Sequence, residues 1–346
     1  MTAAELAIGV LGAGGNTRER HLPNLQSIPG VSVVAVHNRT DASARRVAEE
    51  FGIPDVRADW REIVEDPRID AIVIGTWPDT HALFSIAALR GGKHVLCEAR
   101  MAANLAESRA MLETSREHPQ LVAQLLPAPT TLHLDATIAR MMSTGYIGEL
   151  LAIDIAERSG FVDPTLPRGW RQSTEFSGVN VMSLGIHYEQ VLRWTGAAAR
   201  VMAMGRTVVD TRPGPDGEPI PVDVPDHVEV SAELEGGATL RVSLSQVTGG
   251  APANAIHLFG SEGTLRVVDG QLEGMRRGER SYAPISPDPT AGASDGWRVE
   301  EEFVGAIRGA EPVTRTSFED GERYMRFTEA VWRSIRDGRG VSLSEL

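Results

Sequence analysis

Residues 6–17 read LAIGVLGAGGNT, and this stretch decides the fold. An apolar run of strand length ends in glycine, two further glycines follow, and a helix-forming segment comes next. Gly12, Gly14 and Gly15 permit a tight turn and a close backbone approach to a pyrophosphate at the next helix's N-terminus. Asn16 and Thr17 complete the turn, with Thr17 standing where a third glycine or alanine is common. A GxG spacing alone is a weak signal. The strand before it, the helix after it and a second strand at 31–37 (VSVVAVH) make it a dinucleotide turn.

The same alternation continues to about residue 126. Strand-like runs at 69–76 (IDAIVIGT), 93–97 (KHVLC) and 121–126 (LVAQLL) are separated by helical patterns over 41–51, 80–89 and 104–118. Near-continuous Val/Ile runs between helices predict a doubly wound parallel sheet covered on both faces. Beyond residue 127 the pattern changes. One helix is predicted over 130–143, then alternating strands at 150–158, 227–234, 239–247 and 255–260, with a hairpin turn at Glu235-Gly236-Gly237. Residues 211–225 and 283–296 read as surface loops, and two helices, 297–309 and 318–337, follow. The expected architecture is α/β: a Rossmann domain over 1–126, then an α+β domain over 127–346 with an open-faced, largely antiparallel sheet. The last helix has the option of packing back on the first domain.

A net charge of −13 argues against nucleic acid or an anionic membrane as a partner, since both demand a basic face. Cys97 is the single cysteine, so no disulfide framework or cysteine-rich metal site is expected. The histidines show no paired metal-ligand spacing, and no metal is expected. The N-terminus, MTAAELAIGV, lacks a basic region before its apolar run, which points to a cytoplasmic protein. Lys93 is the only lysine, so a lysine acid/base has one candidate.

Cofactor choice is read at the end of the second strand. An acid there bonds the ribose 2′-hydroxyl in NAD-preferring domains. This chain has His37-Asn38-Arg39-Thr40. Asn38 is able to bond a hydroxyl, and Arg39 offers a planar fork suited to a 2′-phosphate. Arg18, Arg20, Arg45 and Arg46 add positive potential. The reading favours NADP, with NAD as the alternative.

GVLGAGGNTRERHLPNL, VVAVHNR, IGTWPDTH, GGKHVLCEARMA and GIHYEQ, in this order, resemble the Gfo/Idh/MocA family of glucose–fructose oxidoreductase and inositol dehydrogenase relatives. The resemblance spans essentially the whole chain. It implies a sugar, cyclitol or related substrate, and a homodimer or homotetramer assembled through the second sheet. It places Thr76, Trp77 and His81 beside the nicotinamide half of the cofactor. Glu98 matches the glutamate of the family's Glu-Lys-Pro motif, and His187 the histidine of its Gly-x-His segment. Trp170-Arg171 resemble a family segment near the substrate.

The departures matter as much. Ala99 stands where the family has its lysine, Ser183 and Gln190 where it commonly has acids. Hydride transfer at carbon needs a partner that moves a proton at the adjoining oxygen. Histidine, titrating near about pH 6.5, serves in either direction, which makes His187 the leading acid/base. Tyr188 is able to donate or relay a proton, or else its position next to His187 turns it into the core as packing. Arg100, with a guanidinium pKa above about 12, is excluded as a base but is able to anchor an anion or stabilise an alkoxide. Two other readings stay open: a tightly held cofactor used for transient oxidation in elimination or glycoside cleavage, and a non-catalytic NADP-binding sensor or partner subunit.

Overall fold

The computed structural model describes residues 5–252, 254–289 and 296–346. The chain forms two compact units, Met1–Pro127 with Arg298–Glu322, and Ala128–Trp297 with Arg323–Leu346.

The first unit is built on six parallel strands: β1 (Leu6–Leu11), β2 (Val31–His37), β3 (Asp55–Val56), β4 (Ala71–Ile74), β5 (His94–Cys97) and β6 (Ala123–Leu125), in the order β3-β2-β1-β4-β5-β6. Ile8, Val10, Leu11 and all of β4 are buried, as a sheet covered on both faces requires. The helices are α1 (Leu22–Ser27), α2 (Asp41–Phe51), α3 (Arg61–Val64), α4 (Pro78–Arg90) and α5 (Leu105–Glu117). Their ends are chemically marked. The Thr40 and Asn104 side chains accept the Ser43 and Glu107 N–H groups, Pro78 opens α4, and Gly52 closes α2 in the left-handed region.

The second unit holds α6 (Asp135–Ser143), β7 (Leu150–Arg158), α7 (Thr174–Ser177), α8 (Leu184–Thr195) and strands β8 (Ala198–Arg206) to β17. The later strands are β9 (Thr211–Pro213), β10 (Pro219–Pro221), β11 (His227–Leu234), β12 (Thr239–Ser245), β13 (Ala255–Gly260), β14 (Gly263–Val268), β15 (Gln271–Arg276), β16 (Ala283–Pro284) and β17 (Val341–Ser342). Nine of them form one sheet, β16-β15-β14-β13-β7-β12-β11-β8-β17, in which only the β7–β12 pair is parallel. Burial alternates along β11 and β8, so one face is covered and the other open.

Several expectations are corrected. The helix read over 130–143 begins only at Asp135, after a tight turn over Pro129–Thr131. The Asp135 carboxylate fixes that start by accepting the Thr131 hydroxyl and the Trp194 Nε1–H, both at 2.9 Å. Residues 211–225 contain the β9–β10 hairpin, hidden by prolines in both strands. The segment 283–296 carries the short strand β16, while its residues 290–295 lie outside the described residues. Strand β8 was not legible, because Met202 and Met204 point to the open face and mask the alternation. The helix α9 (Val299–Ile307), read as part of the second domain, belongs to the first unit. Gln124 of β6 donates to Glu302 and the Val299 carbonyl, and Leu125 N–H to the Thr316 carbonyl. The last helix, α10 (Phe318–Asp337), has residues in both units.

Candidate functional site

In the first unit the glycine turn is braced from three sides. Gly12 has φ +84°, and a Cβ there would overlap the Thr76 methyl and lie 2.8 Å from its amide nitrogen. Gly75 is equally constrained, since a Cβ would overlap the Thr17 hydroxyl and the Gly12 carbonyl. These two glycines therefore let the β1 and β4 loops touch through backbone. The Asn38 side-chain oxygen accepts the Ala13 N–H at 2.7 Å. Asn38 thus holds the turn through this oxygen. Around a Cβ at Gly15 nothing lies within 4 Å, so the turn keeps an open backbone face, and the residues present fit a dinucleotide.

Arg39 sits with its guanidinium 5.0 Å from the centroid of the Trp77 ring, which orients it at the end of β2. Arg18 is instead paired with Glu50 at 2.6 Å, and Arg45 with Asp41 at 2.7 Å, so neither stands as unneutralised positive charge.

His81 is fully buried, with Nδ1 2.9 Å from the Arg100 carbonyl and Nε2 3.1 Å from the Thr76 carbonyl. Burial lowers its pKa. Both nitrogens face backbone, so His81 ties the loop after β4 to the loop after β5. Arg100 is 3 % exposed and partnered, a buried part of that loop. The ammonium of Lys93 is held by the Asp66 and Ile69 carbonyls at 2.7 Å, which accounts for the only lysine as a structural tie. Cys97 is buried, and burial pushes its thiol pKa far up.

Glu98 has more partners than its motif implied. Its Oε1 accepts from Asn16 at 2.6 Å and from His21 Nε2 at 3.3 Å. On the other side, His21 Nδ1 donates to Glu300 Oε1 at 2.5 Å, and Asn24 donates to Glu300 Oε2 at 3.0 Å. Burial opposes charging His21, but the hydrogen bonds to Glu300 and Glu98 and their charges push its pKa up to about 9. Burial would raise both carboxyls; the imidazolium outweighs it and holds Glu98 and Glu300 below the usual glutamate range. This Glu98–His21–Glu300 chain was missed from sequence, because Glu300 arrives from α9, 279 residues beyond His21.

In the second unit, α8 separates two neighbouring side chains. Tyr188 is fully buried, stacked on Phe327 at 3.7 Å between ring centroids. Its hydroxyl accepts the Ala198 N–H at 2.7 Å, and burial pushes its pKa up. The expected proton relay is thus a packing residue. His187 turns toward β7, where its Nε2 lies 2.7 Å from Glu157 Oε2. Its Nδ1 lies 3.2 Å from Gln190 Oε1, and the Gln190 amide nitrogen donates to the Thr130 hydroxyl. The Thr130 turn is in turn fixed to α8, since Glu189 accepts the Ala128 N–H at 3.0 Å and also pairs with Arg193. Trp170 and Arg171 stack on each other, with the guanidinium 4.1 Å from the ring centroid.

Glu157 supplies the carboxylate that Ser183 and Gln190 do not. A signal for it existed: period-two alternation puts Glu157 in step with the buried Ile153 and Ile155. An acid at a core-facing strand position asks for a partner, and His187 is that partner.

Residues 6–124 match the family model described as an oxidoreductase family with an NAD-binding Rossmann fold, and residues 136–266 match the GFO/IDH/MocA C-terminal domain. The chain belongs to the Gfo/Idh/MocA family. It is thereby an enzyme of an NAD(P)-dependent oxidoreductase family. Family relatives include D-apiose dehydrogenase of Paraburkholderia graminis, 25 % identical over 97 % of this chain and 89 % of that protein. D-xylose 1-dehydrogenase (NADP(+)) 2 of Haloferax volcanii is 26 % identical over 98 % and 100 %. The fold is shared with levoglucosan dehydrogenase, solved in complex with NADH and L-sorbose, at a TM-score of 0.85 and 21 % identity over 98 % of this chain and 99 % of that one. Among the described residues, no helix is long and apolar enough to cross a membrane, and no cluster of His, Cys, Asp and Glu is placed to hold a metal ion. Against the Gfo/Idh/MocA pattern, this member lacks the motif lysine and keeps the histidine, now with a carboxylate from β7.

Proposed function

We propose that this protein transfers a hydride between NADP and a hydroxyl- or carbonyl-bearing carbon of a small polyol or sugar-derived substrate, with His187 as the proton carrier. The observation that carries the reading is the His187–Glu157 contact, an imidazole and a carboxylate 2.7 Å apart in a chain of this family. When bound, the dinucleotide supplies the hydride acceptor or donor. The Gly12–Thr17 turn would receive its pyrophosphate, Trp77 and the Glu98 loop would line its nicotinamide half, and Arg39 would meet a 2′-phosphate. Trp170 and Arg171 are assigned to the substrate. The test is cofactor consumption with D-apiose, D-xylose and levoglucosan, each offered with NADP⁺ and with NAD⁺. Cofactor binding without turnover of any of them would overturn the catalytic reading in favour of a binding protein.

Preference for NADP rests on Arg39. No acid follows β2 before Asp41, and the stack on Trp77 holds the guanidinium in place. Charge-assisted bonds of this kind contribute about 1.5–3 kcal/mol, so Arg39→Asp should shift the NADPH/NADH affinity ratio by about 10- to 100-fold toward NADH. Titration of intrinsic tryptophan fluorescence with each dinucleotide reads this directly; an unchanged ratio would refute the assignment.

The proposal extends to a homodimer or homotetramer joined through the open face of the nine-stranded sheet. Met202 and Met204, 58 % and 72 % exposed, form an apolar stripe there that self-association would cover. Met204→Glu is expected to shift sedimentation toward the monomer.

A further inference from the structure

Resting on the reading that His187 carries the proton, we infer that Glu157 is the group that exchanges this proton with the reacting oxygen of the substrate. His187 stands behind it and provides the proton's resting place.

The geometry leaves the imidazole little direct access. Its side chain is 10 % exposed, whereas that of Glu157 is 43 % exposed, so the pair meets its surroundings through the carboxylate. Both ring nitrogens are engaged within the second unit. The Gln190 amide is oriented by Thr130, to which its nitrogen donates, so its oxygen is the atom that faces Nδ1. An oxygen there accepts, which places a hydrogen on Nδ1 and leaves Nε2 as the nitrogen that gains and loses a proton. Among the described residues, the Glu157 carboxylate is the group at hydrogen-bonding distance from Nε2. A free carboxylate holds a proton only near pH 4.3 or below, roughly, and an imidazole bonded to it supplies the stronger base that proton transfer at neutral pH needs.

The step balances in both directions. In oxidation, the substrate's O–H bond breaks and its proton bonds to the Glu157 carboxylate, while the carbon's hydride goes to the oxidised dinucleotide and a C=O bond forms. Rotation of the carboxyl group presents that proton to Nε2, giving a carboxylate–imidazolium pair of zero net charge. The same carboxylate later passes the proton to water. In reduction, each transfer runs backwards.

Glu157→Gln preserves shape and hydrogen bonding but removes the base. With whichever panel sugar the wild type turns over, kcat should fall about 10²- to 10⁴-fold while dinucleotide affinity is retained. Glu157→Ala should recover activity when formate is added, which a structural role would not allow. Wild-type kcat in Glu157→Gln, or an inactive Glu157→Ala that formate does not revive, overturns the inference. A second arm needs no turnover. In Glu157→Ala the cover over Nε2 is gone, so carbethoxylation of His187 by diethyl pyrocarbonate, followed by peptide mass, should accelerate several-fold; an unchanged rate overturns it. If the wild type consumes cofactor with no sugar of the panel, the functional reading fails, and the carbethoxylation arm alone decides whether Glu157 guards the imidazole.

Discussion

Replacing His21 by leucine is expected to destabilise the first unit by about 3–5 kcal/mol, the range for removing one partner of a buried ion pair. The imidazolium lies between Glu98 and Glu300, with Nε2 3.3 Å from Glu98 Oε1 and Nδ1 2.5 Å from Glu300 Oε1. Leucine would leave two buried carboxylates, which would take up protons or admit water. Glu300→Gln should cost less, because the Glu98–His21 pair survives it. Urea unfolding of the first unit, followed by amide exchange in β1 and β5, measures both; a loss under about 1 kcal/mol for His21→Leu would mean the charges are as well screened as surface pairs.

The same trio fixes a pH dependence. The folded-state pKa of His21, about 9, lies above its ordinary value of 6.5. Its contribution is therefore complete below pH 6.5 and is lost as pH rises through about 9, a change on the order of 3 kcal/mol. The depressed carboxyls act in the opposite sense: their contribution is present above their ordinary pKa of 4.5 and is lost as pH falls through their lower folded values. Stability of this unit should be greatest between these limits and decline toward pH 9. His21→Leu should remove the alkaline decline, and a decline that persists in that variant would place its origin elsewhere.

The nucleotide-binding half was legible because its strands are buried on both faces, so hydrophobic runs and glycine turns mark them directly. Gly12 could be read from its position after β1; Gly75, equally constrained, could not, because its neighbour Thr17 is 58 residues away in sequence. In the second sheet, β7, β11, β12 and β13 were legible from their alternation, while β8, β14 and β15 were not; in β8, methionines replace the polar residues that define an outward position. The motif positions Glu98 and His187 were found by resemblance, but not their partners. His21–Glu300 and His187–Glu157 are contacts between separate elements, and a single sequence records spacing along the chain, not proximity across it. Asn38 and His81 show the converse: residue types suited to a cofactor also bond backbone groups that only the fold brings near.

His187→Asn is expected to lower kcat by about 10²- to 10⁴-fold, the contribution of a positioned acid/base, with cofactor affinity measured alongside to separate chemistry from binding. Its chain neighbour provides the contrast. Tyr188→Phe keeps the ring stack on Phe327 and loses only the acceptor for the Ala198 N–H. That leaves one buried donor unpaired, a cost of about 1–3 kcal/mol in stability, with kcat close to wild type. Adjacent residues on α8 should thus divide cleanly, one changing rate and the other stability. Deuterium at the substrate's reacting carbon sharpens the first result. If proton transfer and hydride transfer are linked, slowing the chemistry in His187→Asn should unmask a larger isotope effect on kcat than in the wild type. Undiminished kcat in His187→Asn would require another proton carrier, and Lys93, tied to two carbonyls, and Tyr188, buried against Phe327, are already committed to structure. Glu157 alone would then have to accept the proton, and the carboxylate would carry a load for which it has no stronger base behind it.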